Sequence, residues 1–247
     1  MTKKIILSCA ALALSFGAMA QARVGVKGGV NFATISKDNA GNFSRSQGIT
    51  RYHIGAIVDL PLSPILSLQP GVFYTSKGSK LEAGNKDNAT ITNPYSKNET
   101  NPQYIEVPIN LVGKIPIGNG TTKLFAGIGP YFAFGVAGKN KSESSYKDAT
   151  GATITASASK KIKWDDDNPF VNGDPNYGAD KYKRFDFGGN LMVGAEFGNF
   201  LVSAQYGMGF AKINSGSVNS RNDNNKNRVF GVSVGYLFGR TPKNTKP

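Results

Sequence analysis

His53 is the only histidine of the chain, and histidine is the side chain best suited to moving protons near neutral pH. As a general base it needs a nucleophile or carboxylates arranged around it. The spacing assigns no such set, so His53 reads as a satisfied polar residue near a strand end. Five charged residues, Lys27, Asp59, Glu106, Asp186 and Glu196, stand inside segments that otherwise alternate apolar residues with glycine or small polar ones. A buried charge must be paired, so these five read as a network of compensating ion pairs rather than a proton or ion pathway. The run Asp165-Asp166-Asp167-Asn168, with Asp174 and Asp180 beyond it, supplies hard oxygen ligands of the kind calcium takes. It lacks the spacing of a calcium loop, and Lys163, Lys181 and Lys183 bring competing charge, so no metal is assigned. Trp164, the only tryptophan, stands with Tyr146, Tyr177 and Tyr182 among lysines, a composition suited to surface contact, with Trp164 packing its own loop as the alternative. Cys9 is the only cysteine, and glycine clusters fall in turns or strands rather than before a helix. Disulfide, thiolate and phosphate-loop chemistry are therefore not expected, and no cofactor is assigned.

The elements that must position these residues are strands. Eight segments between Arg23 and Phe238 alternate with period two, which gives a strand one apolar face. They cover about 23–34, 51–60, 66–75, 104–114, 124–134, 185–197, 202–210 and 230–238. In the first, Val24, Val26, Val30 and Phe32 oppose Gly25, Lys27, Gly29 and Asn31. In the sixth, Phe187, Leu191, Val193, Ala195 and Phe197 oppose Asp186, Gly188, Asn190, Gly194 and Glu196. Pro70, Pro108 and Pro130 fall inside strands, where a missing N–H points to bulges or strand ends near a rim.

The connections alternate in length. Tight ones lie at 61–65, at Gly118-Asn119-Gly120 and at Gly198-Asn199, the last a two-residue hairpin signal. Long polar ones lie at 35–50, 76–103, 137–184 and 211–227 and lack the apolar surface for domains of their own. Together these features predict an all-β fold, an eight-stranded antiparallel up-and-down transmembrane β-barrel with four long extracellular loops.

Lys3 and Lys4, the apolar stretch from Ile5 to Phe16, and Ala18-Met19-Ala20 form the three parts of a secretory signal peptide, residues 1–20, leaving 21–247 as the barrel domain. No later stretch has the roughly 18 apolar residues of a membrane helix, so a membrane form must be a closed barrel. The formal charge of +13 is spread over loops that also carry carboxylates. With an export signal this argues against nucleic acid and for attraction to anionic lipid or polysaccharide. A soluble lipocalin-like binder would also alternate. Its exterior would then be the glycine-rich face, whereas the nearly uncharged face with aromatics at Phe32, Tyr52, Tyr74, Phe134, Phe187, Phe197, Phe210 and Phe238 suits lipid.

In Gly25-Val26-Lys27-Gly28-Gly29-Val30-Asn31, Tyr52-His53-Ile54-Gly55, Leu68-Gln69-Pro70-Gly71-Val72-Phe73-Tyr74 with Lys77-Gly78, Tyr104-Ile105-Glu106-Val107-Pro108, Gly127-Ile128-Gly129-Pro130-Tyr131 and Phe185-Asp186-Phe187-Gly188, the chain resembles the porin-like outer-membrane β-barrel proteins of Bacteroidota. The resemblance implies an outer-membrane barrel and no shared substrate. Its PorT-like branch implies a role in support of protein secretion.

The expected function is structural, surface-interaction or secretion support at the outer membrane, without enzyme activity. Eight strands enclose an interior just filled by side chains, so an open general porin is not expected. An outer-membrane enzyme acting on lipid or peptide at the barrel rim is the alternative. Expected partners are outer-membrane lipid and lipopolysaccharide and an envelope or secretion-system protein, met chiefly by loop 137–184 through Trp164, Tyr146, Tyr177 and Tyr182.

Overall fold

The computed structural model describes residues 22–36, 46–118, 121–165, 181–213 and 225–239. The expected leader, Cys9, Tyr177 and the acidic residues from Asp166 to Asp180 lie outside them. Alternation with period two becomes strand throughout the described residues: β1 (Arg23–Ser36), β2 (Ser46–Gln47), β3 (Ile49–Ser63), β4 (Leu66–Ser76), β5 (Ser79–Ala83), β6 (Tyr95–Ile117), β7 (Thr122–Lys147), β8 (Thr153–Lys161), β9 (Lys163–Trp164), β10 (Lys181–Tyr182), β11 (Phe185–Phe197), β12 (Phe200–Gly209) and β13 (Lys226–Phe238).

Eight strands follow one another around a ring in the order β1-β3-β4-β6-β7-β11-β12-β13, and β13 returns to β1 through a ladder from Val24↔Phe238 to Ser36↔Lys226. All these pairings are antiparallel, and a ring leaves no open edge in the wall. Val24, Val26, Val30 and Phe32 are exposed on the outside, whereas Lys27 and Asn31 are buried within. The soluble lipocalin-like alternative requires the apolar face to line the interior, and it covers the exterior instead. Two aromatic belts bound that exterior. Phe32–Phe230, Tyr52–Tyr74, Phe132–Phe185 and Phe187–Phe210 pair at the long-loop end, and Phe200–Tyr236 and Tyr236–Phe238 at the other. Gly198 turns the β11–β12 hairpin with φ of +61°, a conformation that favours glycine.

Two of the expected loops are corrected by the structure. β6 begins at Tyr95 rather than near residue 104, and β7 runs on to Lys147 rather than stopping near residue 134. Their projecting halves pair with each other from Tyr95↔Ser145 onward, β5 flanks one side and β8 the other. The expected loops at 76–103 and 137–184 thus hold a β-sheet that stands up from the wall. With polar residues on both faces it has no apolar period, and backbone ladders hold it together.

The prolines are corrected too. Irregular register occurs at Pro61/Ser63 and at Gln103/Tyr104, not at Pro70, Pro108 or Pro130. At those three the register continues and the ladder merely skips. Pairs opposite Pro70 are missing toward β3, opposite Pro108 toward β4, and opposite Pro130 toward β6. Each proline still pairs on its other side, with Ile109, Tyr131 and Gly189 respectively. In an antiparallel strand a residue directs its N–H and C=O to the same neighbour, so a missing N–H weakens one side alone.

Candidate functional site

The inward residues of each strand arrive in layers because period two keeps every second side chain in the lumen. Along β6 these are Tyr104, Glu106, Asn110, Val112 and Lys114; along β11 they are Asp186, Asn190, Met192 and Glu196. From Glu106 on β6 and from Asp186 on β11, both strands therefore run from charged through amide and apolar to charged again, starting at the long-loop end.

At the short-turn rim Arg23 donates to Asp59 Oδ2 at 2.7 Å and to Glu196 Oε1 at 2.6 Å. Lys114 Nζ reaches Asp59 Oδ2 at 2.6 Å and Glu196 Oε2 at 3.4 Å. Above them Ile57, Phe73, Val112, Phe125, Met192, Leu201 and Leu237 form an apolar plug. Near the mouth Lys77 lies 2.7 Å from Glu106 and 3.1 Å from Asp186, with its ammonium 4.2 Å from the centre of the Tyr131 ring. Asn227 and Tyr131 donate to the same Asp186 oxygen at 2.9 and 3.3 Å.

Asp59 and Glu196 thus share one cluster and Glu106 and Asp186 another. Lys27 belongs to neither, which departs from the expected ion pairing: among the described residues its ammonium has no carboxylate within 4 Å and donates to Gln205 Oε1 at 3.3 Å. Arg23, Lys77 and Lys114 were not anticipated. Parity carried the signal, since Arg23 is in phase with Lys27, Lys77 with Thr75, and Lys114 with Glu106.

His53 sits in the lumen between Asn31 and Ser233. Asn31 Nδ2 donates to Thr75 Oγ1 and to the carbonyl of Ser76, which turns Asn31 Oδ1 toward His53 Nδ1 at 2.8 Å. His53 Nδ1 then donates, and Nε2 accepts from Ser233 Oγ at 2.8 Å. The order serine, histidine, amide is that of a nucleophile relay. Asn31, His53 and Ser233 are at most 3 % exposed, however. The cavity beside His53 measures about 20 Å³, room for one water, and Ser233 does not line it. An acyl group has no place to form there, so the relay reads as a hydrogen-bonded strut.

Trp164 and Tyr182 are not free surface contacts. β9 and β10 fold back over the mouth, where the Trp164 indole meets Tyr104 edge-on at 5.3 Å and joins the Tyr104–Tyr131–Ala133 cluster. Gly135 makes this approach feasible, because a Cβ there would lie 2.3 Å from the indole ring. Tyr182 is buried with its hydroxyl 3.2 Å from Thr100 Oγ1. Tyr146 is half-buried in the projecting sheet, opposite Ile154. Asp165, the one described member of the acidic run, lies 3.4 Å from Lys181.

In the projecting sheet three glutamates are engaged: Glu82 by Lys80 at 2.8 Å, Glu99 by Arg51 at 2.7 Å and Glu143 by Lys86 at 2.8 Å. The hydrogen bond and charge of Lys86 hold the Glu143 carboxyl below its usual range.

A family model described as outer membrane protein beta-barrel domain matches residues 18–215. No curated protein sequence matches the chain. Among solved structures it is similar to the attachment invasion locus protein Ail of Yersinia pestis in complex with the heparin analogue sucrose octasulfate, at 12 % identity over 88 % of this chain and 99 % of that one, with a TM-score of 0.38. It is also similar to Neisserial surface protein A, at 12 % identity over 87 % of this chain and 97 % of that one, with a TM-score of 0.39.

Proposed function

This chain belongs to the outer membrane protein beta-barrel domain family, and from that premise we propose that it is a surface-interaction protein of the outer membrane, without pore or enzyme activity. The observation that carries this reading is the contrast between a lumen occupied by paired charges and apolar side chains and a sheet raised beyond the wall. Two ion-pair clusters and an apolar plug fill the interior, whereas β6 and β7 continue outward to Tyr95 and Lys147 and carry β5 and β8 with them. A strand extended past the membrane contributes nothing to the wall, and display toward the outside gives it a use.

The barrel holds the projecting sheet upright, with the long connections outward and both ends of the domain in the periplasm. Its short connections at 64–65, 118–121 and 198–199 offer little surface to a periplasmic secretion partner, which disfavours the PorT-like role. Catalysis at the rim is disfavoured by the closed surroundings of Ser233 and His53.

Purified protein in planar bilayers should give no steady conductance. Deleting residues 140–180 should leave a heat-modifiable, membrane-inserted barrel that no longer engages a surface partner defined by crosslinking to the intact protein. Reproducible single-channel steps, or full partner affinity after the deletion, would overturn the reading.

A further inference from the structure

The ladder between β7 and β8 places Lys139 directly opposite Lys161. Like charges in that relation repel, and a sheet built for stability alone would set a carboxylate against one of them. Lys141, two residues on, is opposite Glu99 on its other side, but Arg51 already holds the Glu99 carboxylate. Among the described residues none of Lys139, Lys141 and Lys161 has a carboxylate within 4 Å.

These three lysines line one groove of about 550 Å³ at the foot of the projecting sheet, a volume in the range of small-molecule sites. Its remaining lining includes Glu99, whose carboxylate Arg51 neutralises, together with Val136, Ile162 and Trp164. The Trp164 indole nitrogen is buried and has no hydrogen-bond acceptor among the described residues. Unneutralised ammonium groups beside an apolar and aromatic wall match a ring that carries anionic substituents. The groove begins a few residues beyond Phe134, over whose ring the Arg184 guanidinium sits at 5.5 Å. Aromatic belts mark the headgroup level, so the groove begins just above headgroup height.

We propose that this groove binds a phosphorylated sugar, with Lys139 and Lys161 together receiving a phosphate group and Trp164 bordering the ring. The inference deepens the surface-interaction reading and rests on it. The sugar has two sources, the headgroup of a glycolipid in the same leaflet or a soluble glycan from outside.

The full-length protein in nanodiscs of zwitterionic phospholipid should bind inositol hexakisphosphate in calorimetry. The double variant Lys139→Gln, Lys161→Gln should weaken binding by about tenfold or more, while Lys147→Gln, Lys212→Gln, which removes two lysines outside the groove, should change it less than about twofold. Heat-modifiable migration shows that each variant is folded. Repeating the titration in nanodiscs containing lipid A separates the sources: lost hexakisphosphate binding assigns the groove to the glycolipid, and undiminished binding assigns it to a soluble glycan. No binding by the wild-type protein in zwitterionic nanodiscs, or equal loss in the two double variants, overturns the site. If the site fails while the 140–180 deletion still abolishes partner binding, the surface-interaction reading stands without it.

Discussion

Arg23 and Glu196 lie 173 positions apart in the sequence and meet at 2.6 Å inside the lumen. The contact joins the first residue of β1 to a residue near the end of β11, and Asp59 and Lys114 complete it. Such a group is marginal as a source of net stability, because burial of its charges offsets their attraction, yet loss of one member leaves the others uncompensated. Arg23→Ala should therefore cost about 3–5 kcal/mol, read as a lower urea midpoint for unfolding from lipid vesicles. An unchanged midpoint would mean that Lys114 alone suffices for Asp59 and Glu196.

Lys161→Gln should act in the opposite direction. It relieves the repulsion from Lys139 across the β7–β8 ladder, and the expected gain is about 0.2–1 kcal/mol. Hydrogen exchange of the β8 amides, slower in the variant, is the appropriate measurement because the effect is local. Faster exchange would show that Lys161 stabilises the sheet through a contact other than its charge.

Trp164 is the only tryptophan, so fluorescence reports the mouth of the barrel without labels. Gly135→Ala would place a methyl group 2.3 Å from the indole ring, and the ring must move. The expected outcome is a red-shifted emission and easier acrylamide quenching, with a loss of about 1–3 kcal/mol from overpacking. Unchanged emission would contradict the seating of Trp164 on Gly135.

Topology is open to direct labelling. In intact cells Ser157→Cys, on the exposed β8, should react with a membrane-impermeant maleimide, and Asn199→Cys, in the β11–β12 turn, should not. Reaction at position 199 alone would invert the barrel.

Ser233→Ala tests the strut. Removing the hydroxyl leaves His53 Nε2 without its donor in a buried place, at a cost of about 1–3 kcal/mol. Retained stability would mean that a water from the adjoining cavity replaces the hydroxyl.

The wall was legible in the sequence because lipid imposes a strict alternation on it. Val24, Val26 and Phe32, or Leu191, Val193 and Phe197, could occupy one face only, and parity then fixed Lys27, Asp186 and Glu196 as inward. The projecting sheet was not legible. From Tyr95 to Gln103 and from Lys139 to Lys147 the residues on both faces are mostly polar, so no apolar face is selected and a strand reads like a loop. Ion-pair partners were half legible: parity says that Arg23 and Glu196 share the interior, but strand register decides that they touch. For Trp164 the sequence leaves surface contact and packing of its own loop equally open, because neither its fold-back nor its seat on Gly135 leaves a periodic trace.

The three prolines have a consequence for how the barrel yields. Their skipped pairs step across neighbouring strands, from β3/β4 to β4/β6 to β6/β7, whereas the β13–β1 ladder on the far side is uninterrupted. The cylinder is therefore mechanically lopsided, with a compliant seam on one flank and a stiff spine on the other. The seam lies directly beneath the projecting sheet that β6 and β7 support, so the displayed surface stands on the flank of the wall where ladder pairs are missing.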